Sequence, residues 1–301
     1  MCAHVVPSDD ARQAAERVVE EINQVHGLRF VVRARCRGGM QGGAWLLAGP
    51  DDRQAVVKWR PSGVLRRRPW LGDVVSRIRA SGYPTPEWIA AGDTSSGASY
   101  HVQEFVPGDP ATLASKVSAE LLLDVVELHA GLDPDPPQDW SAYVSSCARE
   151  DREDGPRRFL QRLGADARDL LAHFDRVLAC YGPVELPGGD LVHGDYNSCN
   201  VLMHDGAISG VIDVEALGSG TRAIDYAWLL REAWVVGAGE DVARLIRRAG
   251  EAVAGAGVLA VCVAATAFDI VRFQAVHDDP ANMPGVLDSL HRLAEDLSKP
   301  L

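Results

Sequence analysis

No uninterrupted apolar run in this chain approaches the ~18–20 residues that a bilayer-spanning helix needs. The nearest, Gly257 to Phe268, is too short and predicts a buried helix instead. There is no Cys-x-x-Cys pair either. The six cysteines (Cys2, Cys36, Cys147, Cys180, Cys199 and Cys262) are scattered, which argues against a disulfide framework or zinc site and suits reduced thiols. The first residues carry neither the basic stretch nor the apolar core of a secretion signal, and Asp9-Asp10 follow soon after Met1. A cytoplasmic location is therefore expected. Positive charge is in deficit: 30 Lys and Arg stand against 42 Asp and Glu, a formal net charge of −12. That balance disfavours nucleic acid and anionic membranes as partners. Repeats and low-complexity tracts are absent, which excludes an array fold.

What is present is ordinary in bulk and uneven in distribution. The 301 residues are 47% hydrophobic and 24% charged, enough to bury one large core or two of usual size. Met1–Val106 carries 14 basic and 11 acidic residues, and Pro107–Leu301 carries 16 basic and 31 acidic, balances of +3 and −15. A mildly basic half suits a polyphosphate and a strongly acidic half suits a cationic ligand; an acidic surface that only keeps the chain in solution is the plain alternative. Hydrophobic periodicity changes at the same place. After a first helix ending near Val25, strands are expected at Arg29–Cys36, Ala44–Ala48, Gln54–Trp59, Glu87–Ala91 and Ser99–Val106, with a helix at Trp70–Ala80. Pro107-Gly108-Asp109-Pro110 punctuates the chain. Beyond it the pattern is mainly helical, from Ala111–His129 to Pro284–Leu297, with two short strands near Val201–Met203 and Ile208–Ile212. The expected architecture is α+β and bilobal: an antiparallel-sheet lobe over residues 1–106, a larger helical lobe over 107–301, and a ligand cleft between them.

The most specific chemistry lies in the second part. Leu191-Val-His-Gly-Asp-Tyr-Asn-Ser-Cys-Asn-Val-Leu202 contains His193, Asp195 and Asn200, and Gly210-Val-Ile-Asp-Val-Glu215 contains Asp213. Phosphoryl transfer from a nucleotide needs this set: a carboxylate to take a proton from the attacking hydroxyl, and oxygen ligands for the metal on the phosphates. Asp195 is the base candidate. Asn200 and Asp213 offer the neutral and anionic oxygens that Mg²⁺ prefers. His193 is expected to prop the loop, imidazole being a poor magnesium partner. In the first part, Gly38, Gly39, Gly42 and Gly43 lie between two expected strands, where backbone N–H groups can approach phosphates, and Lys58 follows on the third strand. Asp73, the only acid on the next helix, is either a partner for Lys58 or a first-turn acid favoured by the helix dipole. Glu104 and Val106 stand where backbone C=O and N–H could meet an adenine edge.

Together these residues resemble the aminoglycoside phosphotransferase family, which shares the protein-kinase-like fold. The resemblance runs from the glycine loop to about Trp234, centring on residues 192–202, 210–215 and Gly220-Thr-Arg-Ala-Ile-Asp225. It implies an ATP- or GTP-dependent, Mg²⁺-requiring small-molecule kinase with Asp195 as catalytic aspartate, Asn200 and Asp213 as metal ligands and Lys58 on the phosphates. The chain departs from the family pattern in lacking the helix Glu and in Tyr196-Asn197 after the catalytic Asp. Thr221-Arg222 is similar to the viomycin and capreomycin phosphotransferase branch. A protein kinase proper is disfavoured, because Val-Glu rather than Phe-Gly follows Asp213 and no Ala-Pro-Glu closes an activation segment. The expected substrate is a cationic antibiotic, an aminoglycoside or a basic cyclic peptide, modified in a way that confers resistance. Glu232, Asp269, Asp278 and Asp279 are the candidate carboxylates for it. A kinase for choline, an amino alcohol or a sugar, and a non-catalytic nucleotide-binding module, are the alternatives.

Overall fold

The computed structural model describes residues 9–36, 43–60, 68–134 and 138–300. The chain forms two compact units. The first comprises Met1–Gly108 together with Ser209–Ile212; the second comprises Asp109–Ile208 and Asp213–Leu301. Sequence alone suggests two uninterrupted segments, but local bonding returns residues 209–212 to the first unit. Val211 N–H donates to Pro84 O (2.7 Å) and Ser209 Oγ to Pro107 O (2.6 Å).

In the first unit, α1 (Asp9–His26) packs on a five-stranded antiparallel sheet ordered β1-β2-β3-β5-β4. The strands are β1 (Val31–Arg35), β2 (Ala44–Ala48), β3 (Gln54–Arg60), β4 (Trp88–Asp93) and β5 (Ser99–Glu104), with α2 (Leu71–Ala80) between β3 and β4. Ala15, Val19 and Ile22 recur at helical spacing and bury against Trp45, Leu47, Val57 and Val102 of the sheet. Asn23 fixes the exit of α1, donating to Phe30 O (2.8 Å) and accepting from Phe30 N–H (3.0 Å). Lys58 pairs in register with Ala44 on one side and His101 on the other.

The second unit contains α3 (Lys116–Glu127), α4 (Trp140–Arg149), α5 (Pro156–Leu163), α6 (Ala165–Tyr181), α7 (Ala223–Val236), α8 (Glu240–Ala254), α9 (Ala256–His277) and α10 (Met283–Leu297). The helix expected to start at Ala111 begins only at Lys116. Ser115 caps it, its Oγ accepting from Ser118 N–H (3.2 Å), while residues 109–110 instead form the short strand β6 against β8 (Val201–His204). Two further short strands, β7 (Asp190–Val192) and β10 (Gly218–Gly220), pair antiparallel on either side of the His193–Asn200 segment. The chain runs on from β8 into β9 (Ala207–Val211), whose residues 209–211 already belong to the first unit.

Helix α9 is longer than the apolar run inside it. At 22 residues it is long and apolar enough, by length and composition, to cross a membrane. Its residues from Val258 to Phe268 are nevertheless buried in the unit, with Phe268 edge-on to Phe174 of α6 (5.5 Å between ring centroids). Arg157 of α5 ties neighbouring elements together, donating to Asp175 (2.7 and 3.1 Å), Asp151 (3.0 Å) and Ala148 O (3.0 Å).

Candidate active site

The loop after β7 carries the motif, and it is held from beneath by α7. Asp225, fully buried in the first turn of that helix, accepts from His193 N–H (2.9 Å) and Gly194 N–H (3.1 Å). His129 approaches the same carboxylate, its Nδ1 lying 3.0 Å from Oδ2, the oxygen that accepts from His193. A first-turn acid thus serves as the anchor of the loop rather than as a dipole partner alone. Gly194 adopts a left-handed backbone (φ 77°), and a Cβ there would collide with the indole of Trp140. Trp140 also donates Nε1–H to Ala216 O (2.8 Å), joining the loop at Gly194 to the segment after Asp213. Tyr196 points inward, its hydroxyl donating to Leu122 O (2.9 Å) and its ring edge-on to both His129 and His193.

Asp195 is half-buried and sits under two amides. Asn197 Nδ2 donates to its Oδ1 (3.1 Å) and backbone O (3.2 Å); Asn200 Nδ2 donates to its backbone O (2.8 Å) and Oδ2 (3.3 Å). His193 is buried, and its Nδ1 accepts from Asp195 N–H (3.3 Å). Burial pushes the Asp195 carboxyl up to about 6, and the neighbouring Asp213 pushes in the same direction; Arg231 and the two amides pull it back. Asp213 opens a short 3₁₀ turn (Val214–Ala216) and holds a left-handed conformation (φ 63°, ψ 39°), uncommon for a residue with a Cβ. Asp195, Asn200 and Asp213 thus belong to one unit, with Asn200 bonded to Asp195 and the charge of Asp213 felt there.

The donor set fits a hard divalent cation. Asn200 commits its Nδ2 to Asp195, which leaves its Oδ1 as an acceptor, and the nearby carboxylates repel each other until a cation balances them.

The residues expected to meet a nucleotide lie in the first unit. Gly38, Gly39 and Gly42 lie outside the described residues. Gly43 is in the left-handed region (φ 79°), and a Cβ there would press on the Arg35 guanidinium (2.6 Å). Lys58 is half-buried on β3 and close enough to Cys36 to offset in part the rise that burial imposes on that thiol. Asp73 is exposed in the first turn of α2. Glu104 accepts through its side chain from Arg79 (3.1 Å) and Glu87 N–H (3.4 Å), while its own N–H donates to Glu87 O (2.9 Å). The Val106 side chain packs where a Cβ on Gly210 would fall.

The four expected acceptor carboxylates divide. Glu232 on α7 is taken up by the loop after β7, its two oxygens accepting from Ser198 N–H (2.9 Å) and Ser198 Oγ (2.5 Å). Asp278 and Asp279 are exposed and close a local turn, Asp278 Oδ1 accepting from Asp279 N–H (2.9 Å) and Asp279 Oδ1 from Ala281 N–H (2.9 Å). Asp269 on α9 is different. It is half-buried, and burial lifts it to about 6 against the opposing pull of Arg272, Arg231 and the neighbouring Tyr143. Tyr143 is 41% exposed and lies edge-on to Trp140. Arg231, one residue before Glu232, is buried under Trp228 and pushed down to about 10 by that burial; Glu232, Asp195 and Asp269 hold it up. Sequence reasoning named Asn197 only as a departure from the family pattern and assigned no role to Asn197, Ser198, Trp140, Tyr143 or Arg231. Only the first two lie inside a readable motif.

Residues 34–261 match the family model of the phosphotransferase enzyme family, and the chain belongs to that family. It is a kinase-type phosphotransferase. No curated protein matches by sequence. Among solved structures, the fold is shared with a thermostable mutant of aminoglycoside phosphotransferase APH(4)-Ia in ternary complex with ADP and hygromycin B. That likeness has a TM-score of 0.69 at 17% identity and covers 94% of this chain and 98% of the other. The macrolide 2′-phosphotransferase MphH from Brachybacterium faecium gives 0.62 at 17%, covering 93% and 98%. An aminoglycoside phosphotransferase from Alicyclobacillus acidocaldarius gives 0.58 at 17%, covering 98% of each.

Proposed function

We propose that this protein moves the γ-phosphoryl group of ATP or GTP onto a hydroxyl of a cationic antibiotic, an aminoglycoside or a cyclic peptide of the viomycin and capreomycin type. The observation that carries the reading is the amide cage on Asp195. With Asn197 and Asn200 both donating to it, the carboxylate is oriented before any substrate arrives. Asp195 accepts the proton of the attacking hydroxyl, a task for which position matters more than base strength. Asn200 and Asp213 are the residues that would hold Mg²⁺, which neutralises phosphate charge when bound. Lys58 and the glycine segment are assigned to the phosphates, and backbone atoms of Glu104 and Val106 to the base. His193 keeps the loop in shape. The −15 balance of residues 107–301 supports a cationic acceptor, with Asp269 the best-placed carboxylate for it.

The test is turnover of the purified chain with ATP or GTP, Mg²⁺ and a panel of aminoglycosides, viomycin, capreomycin, choline and sugars. Phosphate transfer to an antibiotic, lost in Asp195→Ala, is expected, and Lys58→Ala should raise nucleotide KM. Transfer to choline or a sugar alone would reject the antibiotic reading, and transfer to none would reject catalysis.

A further inference from the structure

The catalytic loop contains a short turn, Ser198–Asn200, whose first N–H groups need acceptors from outside it. The residue placed to cap that turn is Asn197, and its side chain does not do so. It turns back instead and donates to Asp195. The missing acceptor comes from a residue 34 positions away, where Glu232 takes both the N–H and the hydroxyl of Ser198. Such a two-point bond to a carboxylate is stronger and more directional than a neutral cap. Glu232 is also mounted rigidly. Nine residues of α7 are buried, among them its neighbour Arg231, which donates to Thr266 O (3.4 Å) on α9.

We propose that Glu232 is a positioning residue: it caps the Ser198–Asn200 turn in place of Asn197, which frees Asn197 and sets Asn200 so that both amides hold Asp195. This rests on the reading of Asp195 as the base for phosphoryl transfer. It also reverses the expectation that Glu232 binds a cationic acceptor, because both of its oxygens are engaged on Ser198.

The turn carries its own reporter, since Cys199 is exposed within it; Cys180, exposed on α6, serves as the internal control. Glu232→Ala should speed alkylation of Cys199 by iodoacetamide several-fold, read by peptide mass spectrometry, with Cys180 unchanged. In the same variant kcat should fall by about 10- to 100-fold, the loss typical of a misplaced catalytic group, with both KM values within about twofold of the parent. Glu232→Gln keeps an acceptor oxygen and should recover most of kcat. Ser198→Ala removes one of the two bonds and should shift both readouts partway, so the test survives if Glu232→Ala does not fold. Unchanged labelling and kcat in Glu232→Ala would overturn the proposal. So would a raised acceptor KM at unchanged kcat, which would return Glu232 to the substrate. If the parent chain transfers no phosphate, the labelling arm still decides the clamp, and only the functional reading falls.

Discussion

Replacing Asp269 with Asn should make the protein more stable and its handling of a cationic acceptor worse. Burial raises this carboxyl from 3.8 to about 6, even after Arg272, Arg231 and Tyr143 have favoured the charged form. A folded-state value above the unfolded one means that the native state holds the proton more tightly. The stability this supplies is therefore full below the unfolded value and is lost as pH rises through the folded one. At neutral pH the ionised side chain is a liability of at most roughly 3 kcal/mol, discounted toward 1–2 because the group keeps some access to water. Asn keeps the shape and imitates the protonated form. Urea unfolding followed by tryptophan fluorescence should show Asp269→Asn equal to the parent near about pH 4 and more stable by about 1–3 kcal/mol near about pH 8. A gain independent of pH, or a loss at the higher pH, would show that burial does not dominate at this site. Acceptor KM should rise while nucleotide KM stays put, the exchange of stability for function expected where a charge is kept for its ligand.

Two further substitutions test how the loop is supported. Gly194→Ala combines a left-handed backbone with a collision against Trp140; it should destabilise by more than about 2 kcal/mol and lower kcat, and a wild-type melting temperature would refute the packing described. Tyr196→Phe removes a buried hydroxyl from Leu122 O; a stability loss of about 1–3 kcal/mol is expected by chemical denaturation, and no loss would mean the carbonyl finds another donor.

The strands of the first unit were readable because glycine, proline and aspartate punctuate them. Gly49-Pro-Asp-Asp52 separates β2 from β3, and Ala44–Ala48 alternates between buried and half-buried positions as a one-faced strand should. Three-residue strands such as β7 and β10 are too short to show any period. The delayed start of α3 was hidden because its cap is Ser-x-x-Ser, without the Glu or Gln that marks the usual signal. In the site, Asp195, Asn200 and Asp213 stood out because fixed spacing on one loop and its neighbour imposes a pattern. Trp140, Tyr143 and Asp269 had no such spacing. They meet only because α4 and α9 pack side by side, and a contact between helices more than 100 residues apart leaves no local trace. Glu232 was visible as an acid, but charge alone does not reveal that Ser198 is a donor it serves.

The return of Ser209–Ile212 to the first unit has a practical consequence for anyone dissecting this molecule. A fragment cut at the obvious proline-glycine break would lack the donor that satisfies Pro84 O and the backbone against which Val106 rests. It would expose an incomplete sheet-bearing half rather than a free-standing domain. The complementary fragment would keep the peptide but lose what it binds. Asp213 is the first residue after that crossing. The two halves therefore exchange chain at the carboxylate assigned to the metal, and recombining halves from different relatives would have to preserve three junctions, not one.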